Sequence, residues 1–169
     1  ACAIGSEINI NGSWDKIGKP HGDIACFSFH PRKVITTGDG GMLTTREKKW
    51  DTKFRLLRNH GMNISDEIRH RSKDIIFETY PEAGYNYRMT DIQASIGLTQ
   101  LKRLPKMIQL RQSQAAQYNS IFNDIDFLIT PNTPKNRTSV FSSYLLRFNP
   151  KKQVRWLFKF PIDPKSSSV

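Results

Sequence analysis

The sequence predicts an α/β fold. Two β-prone runs lie close together, IACFSF at 24–29 and GMLTT at 41–45, with a glycine-rich segment between them. Two stretches of helical spacing follow, REKKWDTKFRLLRN at 46–59 and a long one that opens at Thr90. Short β-prone runs thus give way to segments of helical spacing along the chain.

The first run has Ile24, Cys26 and Ser28 on one side and Ala25, Phe27 and Phe29 on the other. Both sides are largely apolar, which predicts a strand inside a covered sheet. On that reading Cys26 is a small buried hydrophobe. GMLTT reads as its partner strand, with the glycines of TTGDGG supplying positive-φ positions for the connection. In the first helix Trp50, Phe54 and Leu57 recur at i, i+4 and i+7, and Gly61 fits the C-terminal cap. Residues 62–83 are polar and irregular and predict a long surface loop.

Thr90 and Gln93 have capping-box spacing. Ile92, Ile96, Leu98 and Leu101 then form an apolar face, with Ala94 and Gly97 allowing close packing. Pro105 either kinks this helix or starts a new one. The helical pattern resumes through Met107, Ile108, Leu110, Ala115, Tyr118 and Phe122. Residues 123–139 read as a linker, VFSSYLLRF at 140–148 as a strand, and the tail beyond 149 carries little signal.

The composition excludes several classes. At 169 residues, 37% hydrophobic and 24% charged, the chain fits a soluble domain with a core. No apolar run approaches the roughly 20 residues that span a bilayer. The opening ACAIGSEINI lacks the basic and apolar regions of a signal peptide. Two cysteines make no disulfide framework, and a reducing cytoplasm is the expected location. The chain opens on Ala1, in what reads as the middle of an element, so a piece of a longer protein is expected. A net charge of +11 raises the question of nucleic acid. The basic residues are scattered, however, and form no stripe interleaved with aromatics, so dedicated nucleic-acid binding is disfavoured.

Lys33, in CFSFHPRKVITTGDGGMLTT, is the leading chemical candidate. A lysine in a covered site becomes an amine nucleophile able to form a Schiff base. Ser28, five residues upstream, offers a hydroxyl to a phosphate. The TTGDGG backbone either cradles a phosphate or simply turns the chain. It is neither a Walker A loop nor a dinucleotide fingerprint. His21, His30, His60 and His70 lack metal-ligand spacing. A Cys26 nucleophile with His30 as base is formally possible, but Cys26 reads as a strand interior. GYNYRMTD at 84–91 is the second dense cluster. It is either an aromatic lead-in to a capped helix or a loop presenting donors to an anion.

Taken together, GDIACFSFHPRKVITTGDGGMLTT, RLLRNHGM and GYNYRMTDIQASIGLTQLKRL resemble the DegT/DnrJ/EryC1/StrS family. Those are pyridoxal-phosphate-dependent aminotransferases that act on nucleotide-linked keto-sugars. The resemblance runs from residue 1 to about 125 and is no longer followed after about 149. It implies part of the fold-type I transferase large domain over residues 1–105. Residues 106–169 would be a helix and the beginning of an incomplete small C-terminal domain.

The resemblance also implies roles. In SFHPRK, Lys33 would carry pyridoxal 5'-phosphate as a Schiff base and later shuttle the substrate proton. Ser28 would bind the cofactor phosphate. Asn86 of GYNYRM would reach the phosphate in the neighbouring subunit's site, implying a homodimer with shared active sites. Tyr85, Arg88 and His30 become substrate-side candidates. ACAIGS matches the end of the motif E-D-A-A-H/Q-A-x-G, with Cys2 at the cofactor-contacting His/Gln position. The aspartate that pairs with the pyridinium nitrogen would then fall just before residue 1, so this stretch alone is not expected to catalyse. Lysine rather than histidine at position 33 argues for transamination over dehydration. The implied substrates are a nucleotide-linked keto-sugar and an amino-acid donor, glutamate by expectation. Two other readings stand beside this one: an inactive remnant with a binding or structural role, and a basic nucleic-acid binder.

Overall fold

A computed structural model describes residues 1–149 apart from Pro20 and Ser65. It contains three antiparallel strand pairs and three helices: β1 (Glu7–Ile10), β2 (Ser13–Lys16), β3 (Ile24–Ser28), β4 (Gly41–Thr45), α1 (Lys48–Leu57), α2 (Asp66–Arg71), α3 (Asp91–Phe122), β5 (Leu128–Ile129) and β6 (Arg147–Phe148). The α/β expectation holds. The tail beyond 149 lies outside the described residues.

The first hairpin, β1–β2, is one to which the patterning above assigns nothing. Its turn is Asn11-Gly12, with φ of 51° and 87°. Asn-Gly is the pair that two positive-φ turn positions favour, and it matches the twist of the flanking strands. The other edge of β1 is tied to a distant segment. Glu7 N–H donates to Thr138 Oγ1 at 2.8 Å, Asn9 N–H to the Asn136 carbonyl at 2.8 Å, and Thr138 N–H to the Glu7 carbonyl at 2.9 Å.

β3 and β4 pair as predicted, from Ile24 opposite Thr45 to Ser28 opposite Gly41. The expectation that both faces of β3 are covered is not met. Cys26 is exposed, and so is Leu43 opposite it. The pair has no third strand among the described residues, so burial begins only where the chain leaves the ladder. Phe29, Val34, Ile35 and Thr37 are the buried residues there, and Ile35 is only 2% exposed.

α1 ends with Arg58 as its C-cap, and the chain turns through His60 (φ 60°) and Gly61 (φ 76°). Gly61 N–H donates to the Leu56 carbonyl at 3.0 Å, so the cap-like role predicted for it is real, though displaced past the helix end. The predicted loop at 62–83 contains the short α2.

α3 opens on the predicted capping box. Gln93 N–H donates to Thr90 Oγ1, and Thr90 N–H donates to Gln93 Oε1 at 3.0 Å. The helix then runs unbroken through Pro105. Pro105 and Leu101, whose carbonyl loses its usual donor, both lie on the exposed side. The apolar face expected at Ile92, Ile96, Leu98 and Leu101 is exposed, while the small Gly97 and Ala115 are buried. α3 is seated by small residues: a Cβ on Gly97 would lie 3.0 Å from Thr37 Cγ2.

The strand expected at 140–148 shrinks to Arg147–Phe148, paired with β5 in the predicted linker. Phe141 has a φ of 46°, which breaks the extended run. The bend sends Tyr144 into a cluster with Phe141, Tyr118 and Phe122, and its hydroxyl donates to Asn119 Oδ1 at 2.6 Å. Aromatic packing on α3 therefore wins over strand pairing in this segment.

Candidate active site

Residues 29–40 form a loop whose two ends are held by the β3–β4 ladder. Phe29 N–H donates to the Gly40 carbonyl at 2.8 Å, and Thr37 N–H to the Phe29 carbonyl at 3.1 Å. Val34 and Ile35 anchor the loop in the core. Lys33, half-buried, precedes this anchor directly, and its own N–H donates to the His30 carbonyl at 2.9 Å. The backbone carrying the lysine is therefore fixed on both sides.

The glycine segment within this loop turns the chain. Gly38 N–H donates to Thr36 Oγ1 and Gly40 N–H to Asp39 Oδ1, each at 2.9 Å. Gln93 Nε2 donates to the Asp39 carbonyl at 3.3 Å, tying the turn to the start of α3. These donors are satisfied inside the fold, so the turn reading of TTGDGG accounts for them without a phosphate.

The first residues run beside the end of β3, where Ser28 N–H donates to the Ala1 carbonyl at 3.2 Å. This brings Cys2 to Lys33, whose Nζ donates to Cys2 Sγ at 3.2 Å. The hydrogen bond from Lys33 is the main cause that holds the Cys2 thiol below its ordinary pKa; the Lys33 charge and a hydrogen bond from Ser142 add to it, and slight burial opposes it. Ser28 Oγ accepts a long bond from His30 N–H at 3.4 Å, and its hydroxyl proton has no acceptor among the described residues. His30 itself is exposed, with Nδ1 accepting from Arg32 N–H at 3.2 Å.

Cys2 should therefore alkylate as a thiolate at lower pH than an ordinary thiol. With Cys26 replaced by serine, the pH midpoint of iodoacetamide labelling at Cys2 should lie below that of a free cysteine. Lys33→Ala should move it upward. An unchanged midpoint in that variant would mean the contact is not made in solution.

The second cluster sits elsewhere. Tyr85, Asn86, Tyr87 and Arg88 are all exposed. Tyr85 N–H donates to the Leu57 carbonyl at 2.7 Å, His60 N–H to the Tyr85 carbonyl at 2.9 Å, and Tyr87 N–H to the Arg58 carbonyl at 2.9 Å. Asn59 and Asn86 face each other across this short antiparallel bridge. The Tyr85 and Tyr87 rings stack at 4.9 Å. The Asn86 side-chain amide has no hydrogen-bond partner among the described residues.

Asn86 and Arg88 border a cleft of about 1060 Å³, with Arg55, Arg58, His60 and Asp91. Its cationic lining outweighs Asp51 and Asp91, and Asp51 is already paired with Arg55 at 2.9 Å. The fold thus joins Lys33, Cys2, Ser28 and His30 in one place and Tyr85, Asn86 and Arg88 in another. Neither Lys33 nor Ser28 lines the cleft. Three participants escape motif reading. Ser142 reaches Cys2 from the far end of the chain and leaves no sequence signal. Arg58 and His60 sit in RLLRNHGM but gain a purpose only when GYNYRM folds onto them.

The solved structures that this chain resembles include sugar aminotransferases. PseC of Helicobacter pylori, an aminotransferase involved in the biosynthesis of pseudoaminic acid, aligns with a TM-score of 0.75 and 30% identity, over 89% of this chain and 37% of that one. The fold class is therefore that of the sugar aminotransferases, of which the chain is a part. The model of the DegT/DnrJ/EryC1/StrS aminotransferase family matches residues 1–160, and the chain belongs to that family. The match passes both residue 125, where the motifs stop, and residue 149, beyond which the sequence shows no family pattern by eye. Among curated relatives, the spore coat polysaccharide biosynthesis protein SpsC of Bacillus subtilis is 37% identical over 78% of this chain and 34% of its own length. GDP-perosamine synthase of Caulobacter vibrioides is 37% identical over 75% of this chain and 32% of its own length. The chain spans about a third of the length of the curated relatives it matches. Among the described residues, no helix is long and apolar enough to cross a membrane.

Proposed function

We propose that this chain is the lysine-bearing part of a pyridoxal-phosphate-dependent aminotransferase. Its reaction would convert a nucleotide-linked keto-deoxysugar to an aminosugar, with glutamate as donor, for polysaccharide or related glycan synthesis. The observation that carries this reading is the Lys33 amine, held on a loop anchored at Val34 and Ile35 in a chain of this family. The names of SpsC and GDP-perosamine synthase support the substrate class.

The donor set fits the cofactor. Lys33 offers an amine with one neighbour, Cys2 Sγ, and Ser28 offers an uncommitted hydroxyl donor nearby in sequence. When bound, pyridoxal phosphate supplies the electron sink that makes the carbon next to the amine acidic. Lys33 would anchor the cofactor and carry the proton to and from that carbon. Ser28 would donate to the phosphate. Cys2 would hold the amine on the cofactor side of the loop. Asn86, with its free amide, would serve the phosphate of the partner's site in a homodimer. Tyr85, Arg88 and His30 would meet the anionic substrate. Two free cysteines suit work in the cytoplasm.

The test uses the full-length protein. Pyridoxal phosphate should produce a visible absorbance that borohydride converts to a stable adduct on the Lys33 peptide. Glutamate and a nucleotide keto-sugar should then yield the aminosugar. An adduct on another lysine, or none in folded protein, would overturn the assignment.

A further inference from the structure

RLLRNHGM and GYNYRM touch through two glycines, and neither glycine has a role in the chemistry above. A Cβ on Gly84 would lie 2.0 Å from Gly61 N and 2.4 Å from the His60 carbonyl carbon. A Cβ on Gly61 would lie 1.9 Å from the Glu82 carbonyl oxygen. Every one of these atoms is backbone, so no side chain can swing away to make room. Gly61 also has a φ of 76°, a conformation that penalises any other residue. The crossing permits the three hydrogen bonds that join Leu57, Arg58 and His60 to Tyr85 and Tyr87.

We propose that the Gly61–Gly84 crossing is a positioning device for Asn86, setting its amide for the active site of the partner subunit. Asn86 is the middle residue of the segment that these bonds hold, directly opposite Asn59. Its side chain is exposed and makes no bond of its own, so only the backbone beneath it fixes where it points. Two of the three bonds use the Leu57 and Arg58 carbonyls at the C-terminal end of α1, where helix carbonyls lack internal partners, and the third returns from His60 N–H to the Tyr85 carbonyl. Removing the crossing should therefore spoil a site on the other protomer while leaving the protomer's own Lys33 loop intact. The inference rests on the shared-site reading of Asn86 proposed above.

Co-expression of differently tagged full-length protomers separates the two ideas. The readout is the pyridoxal phosphate concentration needed to half-label Lys33 on borohydride trapping. A Lys33→Ala protomer carries no label at that position, so in a mixed dimer the Lys33 label reports only the other protomer. The Gly84→Ala homodimer should need about ten- to a hundred-fold more cofactor, the cost of one hydrogen bond to a charged phosphate. Paired with Lys33→Ala, whose Asn86 segment is intact, the Gly84→Ala protomer should label at the parent concentration. Asn86→Ala, paired in the same way, should also be rescued. If Asn86→Ala is rescued and Gly84→Ala is not, the positioning role falls and the shared site stands. If Asn86→Ala is not rescued, the shared-site reading itself falls. If Gly84→Ala does not fold, Tyr87→Pro replaces it; this deletes the Tyr87 N–H bond and the ring stacked on Tyr85, and leaves the contacts between the two glycines unaltered. A homodimer of either variant that labels like the parent overturns the inference.

Discussion

Lys33→Ala in the full-length protein is expected to slow transamination by about 10²–10⁴-fold through loss of proton transfer alone. Loss of the covalent anchor adds to that. The size of the effect follows from how the lysine is held. Its backbone is pinned by the His30 carbonyl on one side and by buried Val34 and Ile35 on the other. Its amine has one described neighbour, Cys2 Sγ at 3.2 Å. The measurement is single-turnover conversion at saturating cofactor, with the fold checked by circular dichroism. A folded Lys33→Ala protein that turns over at the parent rate would remove the lysine from the mechanism.

Ile35→Ala is expected to cost about 2–5 kcal/mol, the range for truncating a fully buried aliphatic side chain. Ile35 is the most completely buried large side chain among the described residues. It is also two residues from the reactive amine. The cavity it leaves would loosen the loop that the β3–β4 ladder closes. The stability loss should appear as a lower urea midpoint with an unchanged slope. Lys33 trapping should weaken with it. A loss no larger than the roughly 0.5–1.5 kcal/mol typical of removing one methylene would show that the core at this point can collapse onto the gap.

The parts of the fold that the sequence made legible are local. Thr90 and Gln93 are three residues apart, and their reciprocal bonds need no help from the rest of the chain. The β3–β4 pair was legible because its strands are close in sequence and the glycines between them demand a turn. Cys26 and the Ile92/Leu98 face were read wrongly for one shared reason. Apolar patterning says that a face is to be covered, but not by which residues. In this stretch, about a third of a relative's length, the described residues leave both exposed. The strand expected at 140–148 failed because the pattern of VFSSYLLRF does not reveal the aromatic partners waiting on α3. Asn11-Gly12 did carry a hairpin signal of its own.

The candidate site divides in the same way. Lys33, Ser28 and Asn86 were legible as motif positions through the family resemblance. Their surroundings were not, because Cys2 comes to Lys33 from one end of the described chain and Ser142 comes to Cys2 from the other. The Gly61–Gly84 crossing was equally invisible, since a glycine in a sequence does not announce which backbone passes over it.

The first hairpin has a consequence for the order in which the chain assembles. Asn11-Gly12 closes β1 onto β2 through contacts a few residues apart, which form on a microsecond scale in isolated hairpins. The other edge of β1 waits for residues 136–138. On the ribosome, at about 5–20 residues per second, that edge stays open for several seconds after the hairpin has formed. Its unpaired backbone groups are then available to any other strand. The long α3 must be made before its cover arrives, so nascent chains crowded on one message would meet edge to edge during that interval. The slow closure of β1 by its distant partner thus leaves a stage of synthesis at which this fold is open to misassembly.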